Sequence, residues 1–394
     1  MDLVFITEAR FQKSPTGKIY PLEVSFSECL WQRYLDVFEH LFVMARVADN
    51  CPEPAASGIV SGQGRISFIE LPYYVGLRQY CEVRAQLREM IRRNLLPGRA
   101  YLCRVPGILG ATAARLLTAQ GLPYGVEVVG DPWEVFAKGG VSVPFRPVFR
   151  RICTRTLQRV VRNSAAALYV TQEKLQKTYP VRSGCFSTAV SNVIIPASYL
   201  EHFSLRYFQP SRTYRLLSIG SLAQLYKGPD IALQAVKILK QHGISITLVW
   251  LGDGKFRPLM QELSETLGIS DCVDFHGSVD PETVRAQLLQ TDLYIHPSRT
   301  EGLPRAVIEA MAAGLPCIGT RVGGIPELLE PAALVPPNDS NALADKICTF
   351  LANPEFVHQQ QQRNFAEAMK YREEVLKQRR RQFFQRLKQL AEIE

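Results

Sequence analysis

No run in this chain approaches the ~18 uninterrupted apolar residues of a membrane-crossing helix, so no segment is expected to span a bilayer. A secretory leader is not expected either, because MDLVFITEAR places Asp2 and Glu8 early and its apolar run is only as long as a strand. The nine cysteines form no C-x-x-C pair and no Cys/His cluster of zinc spacing. They read as small core residues in a reducing cytoplasm rather than as a disulfide or zinc framework. No Asp-x-Asp is placed to hold a metal ion. Gly252-Asp253-Gly254 follows an apolar stretch, but Arg257 stands where a dinucleotide fingerprint needs its third glycine, so an NAD reading is weak. No recognisable nucleic-acid module accompanies the charge, and nucleic acid is not an expected partner.

The 394 residues are too many for one typical core and suit two domains of about 200 residues each. Hydrophobic content of 46% with 21% charged residues is that of a soluble globular protein. The net charge of +9 concentrates at 84–99, 146–162 and 377–388. Such runs are either solvated helix faces or a field that attracts nucleotides, acidic glycans or an anionic membrane surface.

The first half alternates expected strands at 2–7, 41–47, 100–105, 124–129 and 166–170 with helices at 26–40, 78–94, 109–120 and 146–162. This rhythm belongs to βαβ units and a parallel sheet. A loop or small hairpin is expected at 49–64, where Pro, Ala, Gly and Ser gather. The rhythm breaks at 195–212, read as a linker. A second series follows, with strands at 215–219, 247–251, 273–276, 293–296, 317–319 and 333–335. The expected domains are therefore 1–198 and 199–374, each a Rossmann-like doubly wound sheet that binds ligands at its strand carboxyl ends. The final charged helix, 375–394, presents Phe383, Phe384, Leu387 and Leu390 at helical spacing. It either packs or binds a partner.

The most informative run is LYIHPSRTEGLPRAVIEAMAAGLPCIGTRVGGIPEL, 293–328: strand, polar loop, helix, strand. The helix is expected to begin at Pro304 and stop at Gly314. AVIEAMAA is apolar nearly all round, so Glu309 lies in poorly solvated surroundings unless compensated. It pairs either with Arg305 one turn earlier, a contact worth only about 0.2–0.5 kcal/mol, or with the vicinal hydroxyls of a ligand. Glu301 is either a solvated loop acid or, beside Gly302 and the helix amides, part of a ligand site. Lys227 is likewise either a solvated lysine or a phosphate ligand at the start of the helix that Gly228, Pro229 and Asp230 open.

EGLPRAVIE, followed by AMAAGLPCIGTRVGGIPELL, resembles the Glu-x7-Glu region of the retaining glycosyltransferases of family 4, which have the GT-B fold: two Rossmann-like α/β domains facing a cleft. The resemblance implies transfer of a hexosyl unit from a UDP- or GDP-sugar to an acceptor hydroxyl. Glu301 would contact the sugar, Glu309 the ribose, and amides of Gly302, Leu303, Ala306 and Val307 the sugar and phosphates. It also places the phosphate-binding Lys-Gly at Lys227-Gly228, with Ser221 where many members carry Arg. Gly252, Gly254, Ser278 and Val279 then border the base, or are simply tight turns. Gly17, beside Thr16, is the close-approach residue after the first strand. The family's first-domain His is absent near Val129, leaving Asp131 either as a contact to acceptor or sugar or as a helix N-cap before Pro132.

In the family the final helix crosses back onto the first domain. No cofactor or metal is implied. The acceptor would be a lipid-linked or other glycan or a small molecule, the role cell-surface polysaccharide or glycolipid assembly, and the place the cytoplasm or the inner face of the membrane. The alternatives are a natural-product glycosyltransferase, a GT-B epimerase or phosphorylase, and an inactive sugar-nucleotide binder.

Overall fold

Strands form where the sequence runs apolar for about 4–8 residues without polar alternation, the pattern of a parallel sheet covered on both faces. The computed structural model describes residues 1–22, 26, 28–49, 64–136, 145–193, 195, 197–200, 203, 205 and 213–392. They form two units: Met1–Pro132 with Arg151–Val190 and Lys377–Glu394, and Trp133–Arg150 with Ser191–Leu376. No helix among the described residues is long and apolar enough to cross a membrane.

The first unit holds β1 (Leu3–Lys13), β2 (Ile19–Pro21), β3 (Leu41–Ala48), β4 (Ile66–Leu71), β5 (Ala100–Val105), β6 (Gly125–Val128), β7 (Ala166–Tyr169) and β8 (Phe186–Ala189). They are ordered β4-β3-β1-β5-β6-β7-β8, with β2 antiparallel to the end of β1. The sequence reading fell short here. β1 continues past Thr7 to Lys13, because a register shift between Ile6 and Arg10 breaks the apolar run and Phe11–Lys13 then pair with β2. The edge strands β4 and β8 carry Ser67, Glu70, Ser187 and Thr188; with only one neighbour each, they need no continuous apolar run and leave little signal. The helix expected at 26–40 is Glu28–Leu35, since the chain turns after Leu35 to sink Phe38 into the core ahead of β3. Residues 50–63 of the loop expected at 49–64, and most of 195–212, lie outside the described residues.

The last helix, Glu373–Glu392, seals this unit with Phe383 and Phe384, both fully buried. Phe384 lies against Tyr34 (centroids 5.0 Å) and Phe38, and Tyr34 against Phe5 of β1. The helix comes so close to β6 that a Cβ on Gly125 would stand 3.1 Å from Leu387 and 3.3 Å from Phe383. Phe384→Ala would empty this aromatic cluster. A loss of about 3–5 kcal/mol is expected, read as a lower midpoint in thermal or urea unfolding.

The second unit holds β9 (Tyr214–Ile219), β10 (Ile246–Leu251), β11 (Val273–Gly277), β12 (Leu293–His296), β13 (Cys317–Thr320) and β14 (Leu334–Val335). All pair in parallel, in the order β11-β10-β9-β12-β13-β14. That is the doubly wound order, in which the direction of strand addition reverses between β9 and β12 and leaves a crevice at their carboxyl ends. The loops after β9 and β12 carry Lys227 and Glu301.

Candidate active site

The loop after β9 ends in a single turn, Leu225–Lys227, then Gly228 at φ +70°, then the helix Pro229–Gln241. Gly228 is needed for more than its φ, since a Cβ there would stand 2.1 Å from the Pro297 carbonyl oxygen. The loops after β9 and β12 therefore touch backbone to backbone. Arg299 ties them further. Its backbone N–H donates to the Tyr226 carbonyl (2.7 Å), and its guanidinium donates to the Leu225 carbonyl (2.6 Å), to Asn338 (2.6 Å) and as a fork to Asp230 (2.8 and 2.6 Å). A planar fork of donors on a carboxylate fixes orientation as well as distance. Arg299→Ala would strand a partly buried Asp230 and unlock both loops. A stability loss of about 3 kcal/mol is expected in denaturant unfolding, with Arg299→Lys recovering only part of it.

Held this way, Lys227 Nζ donates to Glu301 Oε1 at 2.5 Å. The same oxygen accepts from His296 Nε2 (2.8 Å) and Ser298 Oγ (2.7 Å). From behind, the loop after β13 closes on Glu301: a Cβ on Gly323 would stand 2.1 Å from the Glu301 carbonyl oxygen, and Gly324 N–H donates to the Gly302 carbonyl (2.7 Å). Burial pushes the Glu301 carboxyl upward, but the Lys227 charge and the His296 hydrogen bond outweigh it and hold the group at about 2. At neutral pH it is a carboxylate of low basicity, suited to accepting hydrogen bonds rather than removing protons.

The helix behind the loop runs Arg305–Ala312, and Pro304 is its N-cap rather than its first residue. Its first-turn N–H groups have no acceptors within the helix. Val307 is fully buried and Ala306 half-buried; Gly302 and Leu303 lie in the loop. Gly314, at φ +70°, ends the segment. Glu309 is half-buried, and its carboxylate makes no hydrogen bond or ion pair among the described residues. Arg305 is exposed and acts on it only through its charge, and burial raises the Glu309 carboxyl above the usual range.

Other residues singled out by sequence sit around this crevice or apart from it. Ser221 Oγ accepts from Ala223 N–H (3.1 Å) and reaches the Asp253 carbonyl (3.3 Å), so its loop lies on the 252–254 turn. Cβ atoms on Gly252 and Gly254 would stand 2.2 Å from the Gly220 carbonyl oxygen and 2.0 Å from Ala223 N, which gives both glycines a packing role. Ser278 is exposed and Val279 half-buried just after β11. Gly17 and Asp131 belong to the first unit. Gly17, at φ +83°, forms the turn of the β1–β2 hairpin, and buried Asp131 accepts a hydrogen bond from Tyr179 Oη ahead of the short helix Pro132–Val135.

Sequence reasoning passed over His296, Ser298 and Arg299. The available signal was a histidine ending the otherwise apolar strand LYIH, five residues before Glu301. It also passed over a cluster at the register shift of β1 and near the end of β3: Glu8 accepts from the Leu109 N–H at the start of the helix Ile108–Gln120, pairs with Arg46 (3.1 Å) and accepts from Tyr74 Oη (3.2 Å).

Residues 206–370 match the family model of the glycosyl transferases group 1. The protein CapJ of Staphylococcus aureus is 26% identical over 344 residues, 86% of this chain and 83% of CapJ. The putative colanic acid biosynthesis glycosyltransferase WcaL of Escherichia coli K12 is 34% identical over 150 residues, 36% of this chain and 37% of WcaL. Among solved structures, sucrose-phosphate synthase from Thermosynechococcus elongatus superposes with a TM-score of 0.67 at 15% identity, covering 96% of both chains. Anabaena Alr3699/HepE in complex with UDP gives 0.64 at 16% identity, covering 96% of this chain and 98% of that one. The two parallel-sheet α/β units are those of the GT-B fold, and the residues that match the group 1 glycosyl transferase model fall in the second of them.

Proposed function

We infer that this chain is a retaining glycosyltransferase that moves a hexosyl unit from a nucleoside diphosphate sugar to an acceptor hydroxyl, in cell-surface polysaccharide or glycolipid assembly. The observation that carries the reading is the Lys227 ammonium beside the Glu301 carboxylate at the point where the second sheet reverses. The first-turn amides of Arg305–Ala312 add positive potential there. HepE has been solved in complex with UDP and with UDP-glucose, and WcaL is named a putative colanic acid biosynthesis glycosyltransferase, which supports a nucleotide sugar as donor and a polysaccharide role.

In the proposed reaction the diphosphate lies against Lys227 and the amides, where charge grows as the bond from the anomeric carbon to the phosphate oxygen breaks. The acceptor oxygen forms its bond to that carbon on the same face, and its proton passes to the departing phosphate oxygen. Glu301 accepts hydrogen bonds from sugar hydroxyls and fixes the ring; a carboxyl held at about 2 is too weak a base to serve as the proton acceptor. Glu309, whose carboxylate has no hydrogen bond or ion pair among the described residues, takes the ribose diol. The basic surface of the chain suits a lipid-linked or acidic acceptor at the inner face of the membrane.

A thermal-shift screen with UDP-glucose, UDP-N-acetylglucosamine and GDP-mannose tests the donor side without knowledge of the acceptor. At least one is expected to raise the melting temperature, because a ligand that binds only the folded state stabilises it. No shift with any of them at millimolar concentration would count against the reading.

A further inference from the structure

His296 is buried at the end of β12, the strand beside the crevice, and its ring has a polar neighbour on each nitrogen. Nδ1 stands 3.1 Å from Tyr294 Oη, and Nε2 stands 2.8 Å from Glu301 Oε1. The two partners dictate where the proton sits. An ionised carboxylate only accepts, so Nε2 must carry the hydrogen; the Tyr294 hydroxyl, buried and held in its protonated form by desolvation, can then donate to an unprotonated Nδ1. Burial also lowers the imidazole below its ordinary value against the opposing pull of Glu301, which leaves a neutral ring. The charged and titratable groups facing it are Glu301, Lys227 and Tyr294.

This matters because Lys227 has two tasks. In the ligand-free arrangement its ammonium neutralises Glu301, but a bound diphosphate competes for the same three donor hydrogens. As Lys227 turns to phosphate, Glu301 retains Ser298, a rotatable hydroxyl, and His296, a ring fixed at both ends.

Resting on the glycosyl-transfer reading, we propose that His296 is a positioning residue: in its Nε2–H form, with Nδ1 anchored by Tyr294, it keeps the Glu301 carboxylate in place while Lys227 engages the diphosphate. Glu301 then meets the sugar from one orientation, rather than following the lysine.

The test pairs a spectroscopic readout with kinetics. In the full-length protein, long-range ¹⁵N–¹H correlation spectra of ¹⁵N-histidine samples are expected to show His296, assigned through His296→Gln, as the Nε2–H tautomer at pH 7. In Tyr294→Phe the Nε2–H form is expected to persist, because Glu301 still accepts from Nε2, while the Nδ1 resonance moves toward that of a nitrogen without a hydrogen bond. An imidazolium or an Nδ1–H ring in the wild type would overturn the proposal, whether or not any donor sugar is ever found. For kinetics, hydrolysis or transfer is followed with whichever of the three nucleotide sugars shifts the melting temperature. His296→Leu is expected to lower kcat about 100-fold, the scale of a displacement of ~1 Å, with KM for the donor within threefold. His296→Gln, whose amide donates from near the Nε2 position, is expected to recover at least tenfold of that loss. Equal impairment in folded Leu and Gln variants, or wild-type kcat in the Leu variant, would contradict the role. If no nucleotide sugar binds the wild type at all, the glycosyl-transfer reading fails while the tautomer result still decides the Tyr294–His296–Glu301 arrangement.

Discussion

Glu301→Ala is expected to reduce glycosyl transfer about 10²–10³-fold while the folded spectrum survives. The magnitude is that of removing one preorganised polar contact from the reacting group in a water-poor site. Survival follows from geometry: the loop is also held by Arg299 on Asp230 and by the Gly302 carbonyl on Gly324, neither of which involves the Glu301 side chain. Stability still changes, because Lys227, at 16% side-chain exposure, loses its counterion; at neutral pH this costs about 3 kcal/mol. The pH dependence has a definite sign. Folding lowers the Glu301 carboxyl from 4.5 to about 2, so its contribution is fully present above about pH 5 and fades as pH falls toward 2. The stability gap between wild type and variant therefore narrows over that window. A gap that stays constant from pH 5 to 2 would rule out the ion-pair role of Glu301, and transfer at the wild-type rate would rule out its role at the sugar.

Lys227→Ala is expected to be as damaging to transfer, about 10²–10³-fold, but through a different free energy. Here the leaving diphosphate loses its cation, so affinity for free UDP falls along with kcat. The loss is also expected to shrink at high ionic strength, where a charge contact is worth less. Glu301 is affected too. Burial already pushes its carboxyl upward, and without the lysine only His296 and Ser298 oppose that push. The carboxyl should rise toward the ordinary range, so the acid limb of the stability profile moves to higher pH than in the wild type. Lys227→Arg keeps the charge, but must fit a larger planar group where Lys227 side-chain carbons already pack on Gly220; partial activity is expected.

How much of this was legible depended on what each residue had to do. In the second unit all six strands lie within a residue or two of where the sequence suggested: four of them are flanked by strands on both sides and rich in buried apolar residues, and the edge strand β11, VDFHG, keeps Val273 and Phe275 two residues apart. In the first unit β4 and β8 were missed because edge strands tolerate ISFIEL and FSTA, and β1 was cut short because Thr7 and Glu8 interrupt its apolar run near a shift in register. Lys227 and Glu301 each stood out beside a glycine and a helix start. What the sequence did not contain is their 2.5 Å contact across 74 residues, which depends on the strand order and on the close approach of Gly228 to Pro297. Glu309 was left between Arg305 and a ligand, and the structure provides no ion pair. His296 escaped notice because a histidine ending an apolar strand reads as core until its two partners are placed around it.

The central claim is that the crevice between β9 and β12 binds a nucleoside diphosphate through Lys227. Its most direct test is the melting temperature of wild type and Lys227→Ala, each with and without UDP. At about 100 times its dissociation constant a ligand adds ~2.7 kcal/mol, so a wild-type shift of several degrees is expected, with most of it lost in the variant. A shift of equal size in both proteins, or none in the wild type at millimolar UDP, would contradict the claim.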